Sequence, residues 1–216
     1  MPQPSEGVVK FTCRFSAGQP LPVDGLREIN AWRRVLYLLG LIGQDPALYD
    51  GFGYGNISVR WRGREGEDAF VISGTQTGGL EGLGAQHYTL VRKCDPHRNL
   101  VEAEGPIRPS SESLTHGTLY RLERDVGCVM HAHSHLMWRH ARNLQLTMTD
   151  PDVPYGTPEM AREVERMWRG TDVAQRGIFA MGGHEDGIVA FGPTVERAGS
   201  TLVATFAAAL QLEESP

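Results

Sequence analysis

Two histidines one residue apart, at the end of an apolar run, set the chemistry this sequence can support. The stretch Val126-Gly127-Cys128-Val129-Met130-His131-Ala132-His133-Ser134-His135 leads apolar and β-branched residues into His131 and His133. On an extended segment, side chains two apart share one side of a sheet, so both imidazoles can reach a single ion. A lone histidine there is ordinarily a satisfied polar residue. Two imidazoles buried side by side without a partner are unfavourable, which favours a zinc-type site with a third ligand and a position left open for substrate or water. The third candidate is His184, on the glycine-flanked tip Gly182-Gly183-His184-Glu185-Asp186-Gly187 between the apolar runs 178–181 and 188–191.

A carboxylate with acid/base potential stands in Pro109-Ser110-Ser111-Glu112, which opens a helix running through Leu114, Leu119 and Leu122. Serines there cap free amides and Glu112 in the first turn suits the positive end of the dipole, an ordinary structural arrangement that also makes an anion site beside a carboxylate. His116, four residues on, shares a helical face with Glu112 and is a neighbour of the site rather than a ligand. The glycine-rich Gly51-Phe52-Gly53-Tyr54-Gly55-Asn56 is followed by the alternating strand Ile57 to Trp61, not by a helix, which excludes a dinucleotide fingerprint. Such a loop is a turn or a nest for an anion. The strand Ala69 to Ile72 ends in Ser73-Gly74-Thr75-Gln76-Thr77-Gly78-Gly79, whose hydroxyls and glycines offer donors to an anion as readily as they make a flexible loop.

The positioning elements follow from periodicity. A short edge strand is expected over Val8 to Phe15. Asp24 is placed to cap a core helix in which Leu26, Ile29, Trp32, Val35, Leu36, Leu39 and Ile42 recur at helical spacing. Strands are expected at Tyr88 to Arg92 and Asn99 to Glu102, and helices at Leu136 to Asn143, from Thr157-Pro158 to Gly170, and from Thr194 to Leu212. Trp138 reads as core.

A chain of 216 residues is long enough for one sizeable core, and no linker or internal repeat divides it, so residues 1–216 read as one domain. A net charge of -5 and a pI of about 5.9 give no basic face for nucleic acid, and no apolar run is long enough for a membrane span. Small-molecule chemistry remains. Cys13, Cys94 and Cys128 form no metal or redox pair and the first residues carry no charged-then-apolar signal, which points to a reducing cytoplasm.

Four segments in this order resemble the class II aldolase/adducin family: Gly55-Asn56-Ile57-Ser58, Pro109-Ser110-Ser111-Glu112 with His116, His131-Ala132-His133-Ser134, and the His184 hairpin followed by the closing helix. The resemblance covers most of the chain. It implies an α/β fold with three α/β/α layers, a central mostly antiparallel sheet flanked by helices, and assembly as a homotetramer with sites at subunit borders. It places zinc, or else manganese, iron or cobalt, on His131, His133 and His184, acid/base work on Glu112, and substrate or phosphate binding on Gly55, Asn56, Ser73, Gly74, Ser110 and Ser111.

The implied function is a divalent-metal lyase, cleaving an aldol or decarboxylating a small hydroxy-carbonyl or sugar-derived substrate. An ion gripping a carbonyl and adjacent hydroxyl stabilises the developing enediolate, while a carboxylate moves the proton. An epimerase or dehydratase on a sugar phosphate, and an adducin-like scaffold, are the alternatives. Retention of four convergent ligand-type residues speaks against the scaffold. Three features depart from the family pattern. Glu185 and Asp186 follow the hairpin histidine where the family has glycine, which makes Asp186 a rival ligand. Either Ser73-Gly74 or Thr77-Gly78 takes the place of the phosphate loop. The sequence ends soon after Leu212, short of the tail that carries a catalytic tyrosine in sugar-phosphate aldolases; Tyr155, in a loop, is read as packing before proton donation.

Overall fold

The computed structural model describes residues 8–20, 22, 26–63 and 68–214; Asp24 and most of the connection after Arg62 lie outside them. A central sheet has eight strands: β1 (Thr12–Ala17), β4 (Asn56–Arg60), β5 (Phe70–Ser73), β6 (Tyr88–Asp95), β7 (Leu100–Gly105), β8 (Cys128–His133), β9 (Ile178–Ala180) and β10 (Gly187–Gly192). They lie side by side in the order β1-β7-β6-β5-β4-β8-β10-β9. Every pairing is antiparallel except that of the edge strand β1 with β7. A two-stranded ribbon, β2 (Gly43–Gln44) with β3 (Gly53–Tyr54), stands apart.

Period-2 alternation in the central strands sorts their side chains into two cores. On one face Ile57, Val71, Leu90, Met130, Ala132 and Ile188 pack with residues of α1 (Leu26–Leu38), α3 (His135–Arg139) and α6 (Val195–Glu213). On the other, Phe70, Ile72, Val91, Val129 and Val189 pack with α2 (Ser113–Leu122), α4 (Pro158–Gly170) and Val173 of the short α5 (Val173–Arg176). The result is the expected α/β/α arrangement. Strands buried on both faces read as apolar runs, as β10 does and as β8 does up to Met130.

Some boundaries differ from the sequence reading, for local reasons. The first helix stops at Leu38, short of Leu39 and Ile42. Gly40 adopts a left-handed conformation (φ 70°), its N–H returns to the Tyr37 carbonyl (3.0 Å), and the Leu41 N–H returns to that of Leu36 (2.9 Å). This Schellman pairing satisfies the last carbonyls and turns Leu41 and Ile42 into the core without further helix. The edge strand begins at Thr12, and α3 is a short helix over His135–Arg139, capped by Ser134 Oγ accepting from the Met137 N–H (3.2 Å). Thr157 caps α4 the same way, accepting from the Met160 N–H (3.2 Å) with Pro158 in the first turn.

Candidate functional site

Register decides where the histidines go. β8 lies between β4 and β10, with His131 opposite Asn56 on one side and Val189 on the other, and His133 opposite Gly187. Val129, His131 and His133 therefore share the face that carries α2, while Met130 and Ala132 point to the α1/α6 layer. His184 arrives on the turn between β9 and β10. Its N–H donates to the Met181 carbonyl (3.3 Å) and its carbonyl accepts from the Gly187 N–H (2.9 Å), so the tip folds back over the sheet end.

The three imidazoles converge. Their ligand atoms lie within 4.8 Å of one another, and Nε2 of His131 and Nε2 of His133 are 3.1 Å apart. All three side chains are buried. Two ring nitrogens in contact, with a third imidazole facing them out of water, are a donor set that a borderline divalent cation fits: three imidazoles with ligand atoms close enough to share one ion. The geometry of the residues therefore accommodates the ion that the sequence reading calls for.

Glu112 joins this group from the layer packed over that face. Its carboxylate is fully buried, with Oε2 accepting from the Thr115 hydroxyl (2.8 Å) and Oε1 lying 3.6 Å from His184 Nδ1. The helix starts later than its sequence suggests. Ser110 turns the chain, its carbonyl accepting from the N–H (3.1 Å) and hydroxyl (2.7 Å) of Ser113 and its hydroxyl from the Glu112 N–H (3.3 Å); Glu112 thus sits at the N-cap rather than in the first turn.

Behind Glu112, residues at i+4 and i+8 on α2 continue the polar line. His116 Nδ1 is 2.7 Å from Ser58 Oγ, which is 2.8 Å from the Tyr120 hydroxyl. Burial, with a smaller contribution from the neighbouring His131, pushes the His116 pKa well below the ordinary imidazole value, and burial pushes the Tyr120 phenol well above its own. His116 is a neutral neighbour of the cluster, not one of its converging members.

Aromatic rings wall the cluster. Tyr155 stacks on His184 at 4.3 Å between centroids, the Lys10 ammonium lies 3.4 Å from the centroid of the same tyrosine ring, and the Tyr155 hydroxyl accepts from the Val8 N–H (3.2 Å). Tyr49 meets His133 edge-on (4.6 Å), and Tyr54 lies 5.4 Å from it. The Tyr49 hydroxyl donates to Asp186 Oδ2 (2.6 Å), whose Oδ1 is 2.9 Å from His135 Nδ1. Asp186 is thereby drawn away from the three imidazoles into a second group with His135 and Glu185. Tyr49 and Asp186 are both non-glycine residues in the left-handed region (φ 50° and 63°), a conformation that costs a bulky side chain and is held here by contacts from two directions.

The remaining residues singled out from sequence line the same end of the sheet. Gly55 is left-handed (φ 77°), and a Cβ there would meet Ile42 at 2.6 Å, so the turn requires glycine. Asn56, Ser73, Ser110 and Ser111 are buried, and Gly74 bridges to Pro109. Two contributors have no signal in the sequence reading. Tyr49 depends on a backbone conformation and a partner far along the chain. Arg33, buried in α1, donates to the carbonyls of Thr77 (2.8 Å), Gly78 (3.1 Å) and Glu81 (3.3 Å) and so ties down the loop after β5.

The family model described as Class II Aldolase and Adducin N-terminal domain matches residues 47–212. The sequence finds no match among curated proteins. Among solved structures, an L-fuculose 1-phosphate aldolase is similar with a TM-score of 0.64 at 19% identity, over 89% of this chain and 85% of that one. The L-fuculose-1-phosphate aldolase of Thermus thermophilus gives 0.61 at 19% identity, over 88% and 92%. A sugar-phosphate aldolase from Thermotoga maritima gives 0.62 at 18% identity, over 88% and 94%. At these identities the likeness is one of fold.

Proposed function

Because the chain belongs to the class II aldolase and adducin family, we propose that it is a divalent-metal-dependent lyase acting on a small hydroxy-carbonyl or sugar-derived substrate, by aldol cleavage or a related decarboxylation. The observation that carries this reading is the fully buried Glu112 carboxylate 3.6 Å from His184, in a group of three converging imidazoles. His131, His133 and His184 would hold the ion, and zinc suits three neutral nitrogens with an open position. When bound, such an ion supplies a Lewis acid for negative charge developing on a carbonyl oxygen.

The chain's own residues handle the proton. One Glu112 oxygen is fixed by Thr115 and the other faces the cluster, so the carboxylate holds a set direction as it accepts a proton from carbon next to the carbonyl and returns it. Tyr49, Tyr54 and Tyr155 exclude water from the imidazoles and fix their ring planes. Gly55, Asn56, Ser73, Gly74, Ser110 and Ser111 are our candidates for the substrate-facing wall.

The proposal extends to a homotetramer in the cytoplasm. Exposed apolar side chains at the outer end of α1 and on the neighbouring loop, among them Leu38, Leu48 and Phe52, supply a surface for association, and all three cysteines are free. No described helix is long and apolar enough to cross a membrane.

Exchange of a substrate α-proton into deuterated water tests the reading. Glu112→Gln is expected to slow it about 10²–10⁴-fold with bound metal retained. Exchange at the wild-type rate in that variant would remove Glu112 from the role. Product analysis separates a lyase from an epimerase or dehydratase.

A further inference from the structure

Proteins grip phosphate groups with clustered backbone N–H groups, hydroxyls and cationic side chains. The end of β5 is where the glycine-and-hydroxyl loop would offer such a grip, and two of its backbone N–H groups are already engaged. The Gly74 N–H donates to the His87 carbonyl (2.8 Å) and the Thr75 N–H to the Arg108 carbonyl (2.9 Å). The Ser73 hydroxyl is fully buried and accepts from the Ile57 N–H (3.1 Å). The space over the glycine is filled too, since a Cβ on Gly74 would lie 2.5 Å from Ile107 Cγ2, an apolar side chain.

In the second candidate on that loop, Thr77-Gly78, the hydroxyl and both carbonyls are committed. The Thr77 hydroxyl donates to the Gly74 carbonyl (2.8 Å), and both carbonyls of the pair accept from buried Arg33. Gly78 presses on the backbone of Gly43 and Tyr54, where an added Cβ would come within 2.6 Å of three backbone atoms. A cleft of about 520 Å³ opens beside His133, and among the described residues its walls hold Tyr49, Tyr54, His135, Glu185 and Asp186 but no lysine or arginine.

One group at the cluster does ask for a ligand. Asn56 stands opposite His131 across the β4–β8 pairing; it is 6% exposed, and its carboxamide oxygen is buried with no hydrogen-bond partner. Buried acceptors of this kind are costly unless a donor reaches them. A substrate hydroxyl is such a donor, whereas an ionised phosphate group placed against Asn56 would set acceptor against acceptor.

The geometry points to an unphosphorylated hydroxy-ketone or hydroxy-aldehyde as the substrate, one of its hydroxyls donating to Asn56. This rests on the function proposed above and narrows it. A phosphate placed at the end of β5 would lose water without gaining the backbone donors that compensate it.

The test uses zinc-loaded protein with dihydroxyacetone, dihydroxyacetone phosphate and inorganic phosphate as probes, following binding by calorimetry and α-proton exchange by NMR. Dihydroxyacetone is expected to bind and exchange, with the phosphate ester at least about tenfold weaker, as for a ligand whose polar group finds no partner in the site. Inorganic phosphate is expected not to compete. Asn56→Ala should weaken dihydroxyacetone about tenfold with metal content unchanged, and Asn56→Asp, which keeps an acceptor, should restore most of that loss. Tighter binding of the ester, or competition by inorganic phosphate, overturns this inference and leaves the metal-lyase reading intact. Binding and exchange of neither ketone at full metal occupancy overturns both.

Discussion

His131, His133 and His184 bring ligand atoms within 4.8 Å of one another, and so do His135, Glu185 and Asp186 one turn of chain away. The first three are imidazoles buried from both sides, with two ring nitrogens facing each other at 3.1 Å. In the second group His135 and Glu185 are exposed, and the buried member, Asp186, already has both oxygens in hydrogen bonds, with His135 and with Tyr49. Proximity is the same and the chemistry is opposite. A cation entering the first group replaces a contact between nitrogens that can share at most one proton. A cation entering the second must break two short hydrogen bonds and compete with water. The second group is better understood as a brace for the first: Asp186 holds Tyr49, and Tyr49 lies edge-on against His133.

Substitutions on each side put that contrast at risk. His131→Ala is expected to lower metal affinity by more than about 100-fold, beyond the range typical of residues that only support a ligand, whereas His135→Ala leaves stoichiometric binding in place. Metal content by mass spectrometry, with chelator competition, reads both. Equal loss in the two variants would make the groups a single site. A smaller effect is expected for Tyr49→Phe, which keeps the shape and removes the bond, and for Asp186→Asn, which keeps an acceptor but removes the charge that strengthens it. Release of metal to a chelator should accelerate about tenfold, within the range of outer partners. Unchanged release would show that Asp186 braces nothing and merely fills the hairpin tip.

The unequal legibility of the two groups has a physical origin. His131 and His133 can be found from sequence because a strand's period of two is unconditional: any extended segment puts them together. His184 is legible because glycines flank it on a tip between two apolar runs, and Glu112 because its motif recurs in a known family. Most strands and helices follow from their periodicity, whereas the three-layer arrangement is legible only through the family resemblance. Tyr49 is illegible, since nothing in Leu48-Tyr49-Asp50 announces three successive left-handed residues ending at Gly51 or a partner 137 residues later. Arg33 is hidden for a related reason. In an amphipathic helix an arginine reads as solvated, and only the carbonyls of Thr77, Gly78 and Glu81 make its burial tolerable. The apolar stretch through Ile42 misleads about where α1 ends because a Schellman turn, like a helix, also buries its residues.

Burial, the property that separates the two groups, also reaches His116 and makes the smallest of these effects measurable. Its imidazole is fully buried beside Ser58, and desolvation holds its pKa well below the ordinary value, so the folded chain keeps it neutral where the unfolded chain would protonate it. Between about pH 6.5 and the depressed folded value, unfolding takes up a proton at this position. Its contribution to stability is therefore complete above pH 6.5 and is lost as the pH falls, by up to about 1.4 kcal/mol per pH unit. Urea unfolding of metal-free protein at several pH values from neutral to mildly acidic reads the slope. His116→Gln, which retains a polar partner for Ser58, should flatten it by as much as one proton's worth. An identical slope in wild type and variant would mean that His116 is protonated in the fold, and that the side of the sheet shared with His131 is wetter than its burial indicates.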